Sequence, residues 1–336
     1  MSKRKEPHKE VKDLTFEDLS SYTTSEALTG KRPESWTDAV DMNSAWIQKV
    51  TKGGKIVVMK MFPPDKAKRG FTEAKILDGL VHPNIIALLD LQWDTEHDGN
   101  NFQTTIRLFF PMYKSDLHEY LLEYREQKTL VPSKTAFTLL QQLLSALAYT
   151  HAQGYVHGDV KPDNVLVADN PHGGGVQVCL SDYDLAQEQT KDEKGSFTGV
   201  GKMMTGTDGY KAPELWFDRL ASSVKSDVFS LGLIVYELRT GKSVYDSLTC
   251  MAWKVKNGYG DSAVQWPAVD TTDPHASFLL QACQWCLHVK PRKRPSAGAL
   301  LRQCEEMLAG PAAAEAPAAA EAPSAESLGS DVFLGP

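Results

Sequence analysis

An α+β fold of two lobes is the architecture this sequence predicts: a small β-rich N-terminal lobe with one helix, and a larger α-helical C-terminal lobe. Three observations predict it. β-rich runs separated by glycine or polar breaks fill the stretch from Trp36 to Pro111, around a single helix-forming run. After Pro111 the pattern turns to amphipathic and apolar helical runs. Polar residues able to do chemistry concentrate between the halves and just after them, where two lobes leave a cleft suited to a ligand.

In chain order, residues 1–35 are polar and charged without a hydrophobic period, so a disordered N-terminal arm is expected. The folded domain is read as 36–308, with an N-lobe of about 36–112 and a C-lobe of about 113–308. WIQKV, a glycine turn at Gly53-Gly54 and KIVVMKMF predict a β-hairpin. KAKRGFTEAKILDGL predicts a helix that His82-Pro83-Asn84 stops. IIALLDLQW and TTIRLFF predict two more strands. DLHEYLLEYREQ and PSKTAFTLLQQLLSALAYTHAQG predict helices, the second ending at Gly154. NVLVA and VQVCLS predict short strands around the loop DNPHGGG. From Ala212 the runs APELWFD, SDVFSLGLIVYELRTG, CMAWKVKNG, HASFLLQACQWCLHV and SAGALLRQCEEMLAG predict helices. Residues 309–336 repeat Ala, Pro and Glu, hold too few large apolar residues to bury, and are expected to be a disordered tail.

Composition narrows the function classes. The 336 residues are 42% hydrophobic and 24% charged, as in ordinary globular proteins. No apolar run reaches the roughly 20 residues of a membrane span, and the start MSKRKEPHKEVK lacks the apolar core of a secretory signal. A net charge of −7 argues against a nucleic-acid partner; part of it sits in the tail, at Glu315, Glu321, Glu326 and Asp331. The five cysteines are odd in number and form no disulfide framework, which predicts a reducing, intracellular compartment, cytoplasmic with the nucleus left open. Cys283 and Cys286 have the spacing of half a zinc site, but no second pair follows, and their apolar run reads as helix packing.

The chemistry begins with Asp159 and Asn164, five residues apart in a loop between a long apolar helix and a strand. A carboxylate there can take a hydroxyl's proton, and an amide oxygen on the same loop can reach a metal. The whole run, His157-Gly158-Asp159-Val160-Lys161-Pro162-Asp163-Asn164, resembles the catalytic loop of the protein kinase family, usually His-Arg-Asp-Leu-Lys-Pro-x-Asn. The resemblance implies Asp159 as catalytic base, Asn164 as magnesium ligand, and Lys161 as the lysine that steadies the transferred phosphate in serine/threonine kinases. Ser181-Asp182-Tyr183-Asp184 is similar to the segment holding Asp-Phe-Gly, which makes Asp182 the main magnesium ligand. Gly206-Thr207-Asp208-Gly209-Tyr210-Lys211-Ala212-Pro213-Glu214 resembles the end of the activation segment. Thr207 then shapes the substrate platform, Glu214 pairs with Arg294, and Asp227 braces the catalytic loop. Lys60 and Glu73 resemble the pair that aims an ammonium at the nucleotide phosphates. Phe110 to Tyr113 correspond to the hinge, with Phe110 as gatekeeper, the Pro111 carbonyl and Tyr113 N–H bonding adenine, Val58 and Leu166 sandwiching the ring, and Asp116 reaching the ribose. The implied ligands are ATP and Mg2+, and the implied partner is a protein bearing Ser or Thr; the oligomeric state is left open.

Three departures stand out. The stretch from Thr37 to Trp46, where the family has its glycine-rich phosphate loop, contains no glycine. Gly158 replaces the arginine that clamps a phosphorylated activation segment, so activity is expected not to depend on that clamp. Asp184 replaces a glycine that permits a backbone switch, and is expected to favour one state. Two other readings follow: a pseudokinase scaffold, from the missing glycines and Asp184, and a small-molecule phosphotransferase, from His-Gly-Asp. Lys161, Thr207 and the Ala212-Pro213-Glu214 run argue against the second. Lys60, Asp159, Asn164 and Asp182 all stand, and favour an active serine/threonine kinase.

Overall fold

The computed structural model describes residues 45–52, 54–98, 101–169, 175–242 and 270–309. The predicted arm and tail, the glycine-free stretch up to residue 44, the run CMAWKVKNG and most of the DNPHGGG loop lie outside the described residues.

The N-terminal part is a four-stranded antiparallel sheet. Strands β1 (Trp46–Lys52) and β2 (Lys55–Phe62) pair with Lys52 opposite Lys55, so the hairpin reading holds. Strands β3 (Asp90–Asp98) and β4 (Asn101–Pro111) complete the order β1-β2-β4-β3. Helix α1 (Ala67–Asp78) packs its Ala67, Phe71, Ala74 and Leu77 side against this sheet. Gly70 is needed for that approach, because a Cβ there would run into the Phe62 ring.

One predicted strand starts later than expected. Of IIALLDLQW, only the part from Asp90 joins the sheet. Ile85 and Ile86 are both buried, which breaks the alternation a half-buried strand needs. Their backbone instead meets a C-terminal strand: Leu180 N–H donates to Asn84 O at 2.8 Å, and Ile86 N–H to Leu180 O at 2.9 Å. The Asn84 side chain adds a bond to Val178 O at 2.8 Å. An apolar run that looks like a strand is therefore used to fasten the two parts of the molecule together.

The C-terminal part is helical. Strand β5 (Ser115–Asp116) leads into α2 (Leu117–Glu126), and α3 (Ser133–Ala152) follows. Short strands β6 (Tyr155–Val156), β7 (Val165–Asp169), β8 (Val176–Leu180) and β9 (Gln187–Glu188) carry the loops of the site, in sheets of order β5-β7-β8 and β6-β9. Helices α4 (Pro213–Phe217), α5 (Val224–Thr240), α6 (Pro274–Cys286) and α7 (Ala297–Ala309) complete the described fold. Helix α5 opens with a capping box between Ser223 and Ser226 and is buried on all sides from Ser226 to Leu238, so it forms the centre of this core. Cys283 and Cys286 are buried on α6 among the apolar side chains of the core, and burial pushes both thiols up. No described helix is long and apolar enough to cross a membrane.

Candidate active site

Lys60 lies in β2, two residues before its end, with its ammonium buried between two carboxylates. Nζ donates to Glu73 Oε2 at 2.7 Å and to Asp182 Oδ1 at 2.6 Å. Glu73 reaches it from α1, and its other oxygen accepts the Tyr183 N–H at 3.2 Å. Burial opposes the charge on Lys60, but Asp182 and Glu73 outweigh it and hold the ammonium protonated. Burial also opposes ionisation of Asp182, yet Lys60 holds that carboxyl down at about 2. Glu73 is pushed up to about 7, because its burial exceeds the pull of Lys60.

The second cluster is the loop from His157 to Asn164. Asp227, at the start of α5, is 2% exposed and accepts the N–H groups of His157 and Gly158 at 2.9 Å each. His151 Nε2 meets the same carboxylate at 2.9 Å. This anchor fixes the backbone immediately before Asp159. Asp159 Oδ1 accepts both the N–H and the hydroxyl of Thr207, each at 2.7 Å. Lys161 Nζ donates to Thr207 Oγ1 at 2.9 Å and lies 3.3 Å from Asp159 Oδ2. The Asn164 amide nitrogen donates to Asp159 O and Oδ2, at 2.8 and 3.1 Å, so its oxygen is the atom left for another partner. A small pocket beside Asp159 is lined by Thr207, Tyr210, Lys211 and Leu215.

Asp182 offers a carboxylate and Asn164 an amide oxygen, hard oxygen donors of the kind that could hold a magnesium ion. Asp182 adopts φ +62°, a costly conformation for a residue with a Cβ, and it must be held there by its surroundings. Tyr183, fully buried, does part of this: its hydroxyl meets Thr150 Oγ1 at 2.9 Å, and its ring lies edge-on to His157, with centroids 4.7 Å apart.

The other predicted residues fall on elements around these clusters. Val58 pairs with Phe110, and Val57 with Pro111, across β2 and β4. Phe110 is buried. The Tyr113 hydroxyl donates to Cys179 Sγ at 3.1 Å, tying the stretch after β4 to β8. Leu166 lies opposite Asp116 and Cys179 in the small sheet. Asp116 caps α2 by accepting the Glu119 N–H at 2.8 Å, so one of its oxygens is already in use. Glu214 and Arg294 form a two-pronged ion pair at 2.7 and 2.8 Å, with Arg294 1% exposed.

Some contributors escape sequence reasoning. Gly158 stands at φ +80°, and a Cβ there would collide with Thr205 Oγ1. That space is filled by neutral hydrogen bonds. Thr205 Oγ1 meets Ser222 Oγ at 2.9 Å and Gln187 Nε2 at 3.3 Å, while Gln187 Oε1 accepts the N–H groups of Lys202 and Met203 at 2.8 Å. Arg69 of α1 bonds Asp184 at 2.8 Å. Nothing in the local pattern marks Gln187 or Arg69 as an anchor.

The comparisons agree with this geometry. The family described as the protein kinase domain matches residues 43–304. The chain is 27% identical over 268 residues to the G-type lectin S-receptor-like serine/threonine-protein kinase SD2-5 of Arabidopsis thaliana, covering 75% of the chain and 31% of that protein. It is 31% identical over 256 residues to the serine/threonine-protein kinase PkaA of Streptomyces coelicolor, covering 74% of the chain and 42% of that protein. To human serine/threonine-protein kinase ULK3 it is 30% identical over 197 residues, covering 57% of the chain and 36% of that protein. The chain thus spans less than half the length of each of these relatives. With the matched region running from β1 to α7 and enclosing both clusters, the chain belongs to the protein kinase family.

Proposed function

We propose that the protein is a serine/threonine kinase that transfers the γ-phosphoryl group of ATP to hydroxyls of protein substrates. The observation that carries this reading is the bridge made by Lys60 to both Glu73 and Asp182, beside the cluster of Asp159, Lys161 and Thr207. In it, Lys60 holds the nucleotide phosphates, while Phe110, Pro111, Tyr113, Val58, Leu166 and Asp116 bind the nucleoside. Asp182 and Asn164 would hold a magnesium ion, which would supply charge neutralisation at the phosphates. Asp159 orients the substrate hydroxyl and takes its proton as the new O–P bond forms and ADP leaves with the electrons of the old one. Lys161 steadies the group in flight, and Thr207 keeps Asp159 turned toward the platform.

The position of Lys161 favours a protein substrate over a small molecule, since it couples the catalytic loop to the activation-segment end through Thr207. A thermal shift with ATP, with and without magnesium, tests the nucleotide half of the reading. A ligand that binds only the folded state must raise the melting temperature. The expected result is a rise with ATP and magnesium that Asp182→Asn removes. No rise in the parent chain would leave the pseudokinase reading in its place.

A further inference from the structure

Asp184 stands where the family has glycine, and it is not an idle replacement. Its side chain is 3% exposed, and its Oδ2 accepts from Arg69 Nη2 at 2.8 Å. Arg69 and Glu73 lie one turn apart on the same face of α1. Both reach the segment 182–184: Glu73 takes the Tyr183 N–H and Lys60, and Arg69 takes Asp184. The helix is therefore fastened to this segment at two points, the N–H of the peptide that follows Asp182 and the Asp184 carboxylate.

The charges explain why the two residues come as a pair. A family member with glycine at this place has one cation, Lys60, facing Glu73 and Asp182. Adding Asp184 alone would bury a third carboxylate beside Asp182, where like charges repel. Arg69 brings the matching cation. From the opposite side Tyr183 is tied to α3 through Thr150. Asp182 is thus held at its unfavourable φ from both sides.

We propose that Arg69 and Asp184 form a built-in latch, making Arg69 a positioning residue that keeps α1, and with it the Lys60–Glu73 pair, locked onto Asp182 in the arrangement that accepts magnesium and nucleotide. Arg69 touches no substrate; it acts through Glu73 and Asp182. The latch takes the place of the freedom that glycine gives, so the segment has one ordered state in the resting protein. The inference rests on the reading of Lys60 and Asp182 as the groups that hold nucleotide and metal.

The test compares the full chain with Arg69→Gln, Asp184→Asn, the double substitution and Arg69→Lys. Two quantities are read: steady-state constants for ATP, magnesium and a protein substrate, and hydrogen exchange of the amides from 182 to 186. The latch predicts that Arg69→Gln lowers kcat at least fivefold and raises the magnesium concentration for half-maximal rate, with KM for the protein substrate within twofold. Arg69→Lys keeps most of the rate. The double substitution is no more than twofold worse than Arg69→Gln, as coupling through one contact requires. Exchange from 182 to 186 speeds up about tenfold in Arg69→Gln. A kcat within twofold of parent, additive effects in the double substitution, or unchanged exchange overturns the latch. If the parent transfers no phosphate, the kinase reading fails separately, and the exchange arm alone decides the latch.

Discussion

Replacing Asp227 with Asn swaps one oxygen for an amide group and leaves the volume almost unchanged, yet the structure makes the swap costly. Oδ2 serves His157 N–H and His151, and Oδ1 serves Gly158 N–H. Asn can present its single oxygen to the first pair, which turns its NH2 toward the Gly158 N–H. One bond to a charged acceptor is lost, and a buried backbone donor faces another donor. A bond to a charged group contributes about 1.5–3 kcal/mol, and an unmet buried donor costs about 1–3 kcal/mol. Because the two overlap, about 3 kcal/mol is expected for Asp227→Asn. Asp227→Ala removes all three contacts and is expected to cost about 5 kcal/mol or more. Total stabilities of 5–15 kcal/mol are usual, so the Ala variant stands near the limit of folding. The assay is urea unfolding, read as a drop in midpoint at constant slope. The Asn variant should also lose activity, because the loop that carries Asp159 loses its brace. A cost below about 1 kcal/mol for Asp227→Asn would refute the idea that this carboxylate organises the catalytic loop.

Gly158→Ala should destabilise by about 1–3 kcal/mol in thermal melts, since the position needs a positive φ and its Cβ would strike Thr205; Thr205→Ala in the same chain should recover part of the loss. Phosphatase treatment should leave activity within twofold, because the slot beside Gly158 is closed by Thr205, Ser222 and Gln187 rather than open to a phosphate clamp; a large loss would contradict this. The nucleotide-free protein should melt at higher temperature at pH 6 than at pH 8. Burial raises Glu73 to about 7 and Asp184 to about 6, so each contributes stability by binding a proton in the folded state, fully present below its ordinary carboxyl range and lost as pH rises through the folded value. Asp182 has the opposite sign: held at about 2, it contributes above the ordinary carboxyl range and loses that contribution only as pH falls toward 2.

Two kinds of signal are legible in the sequence: local patterns, and motifs whose family resemblance carries distant pairs such as Glu214 with Arg294, 80 positions apart. The hairpin at Lys52–Lys55 and the helices from Leu117 and Ser133 follow from residues a few places apart. The catalytic loop shows in eight consecutive letters, and the Lys60–Glu73 pair in the resemblance of KIVVMK and EAKILDGLVHPNI to the family's strand and helix. What stayed hidden depends on distant partners. Arg69 sits in a basic run that looks like a solvated face, and its partner is 115 positions away. His151 looks like a helix end until Asp227, 76 positions on, folds against it. Ile85 and Ile86 look like a strand because nothing local says that Leu180 will take their backbone. Gly158 was readable as a lost arginine, but not as a site where Thr205 already fills the space.

The most direct test of the kinase reading is transfer of radiolabel from γ-labelled ATP to a generic protein substrate by the parent chain and by Asp159→Asn, with magnesium present. Removing a general base at the reacting hydroxyl should cost about 100-fold or more in rate. Label on Ser and Thr is expected with the parent and its near-complete loss in Asp159→Asn, with the magnesium-dependent ATP thermal shift retained in both. Equal labelling by the two proteins, or none by the parent, would contradict it.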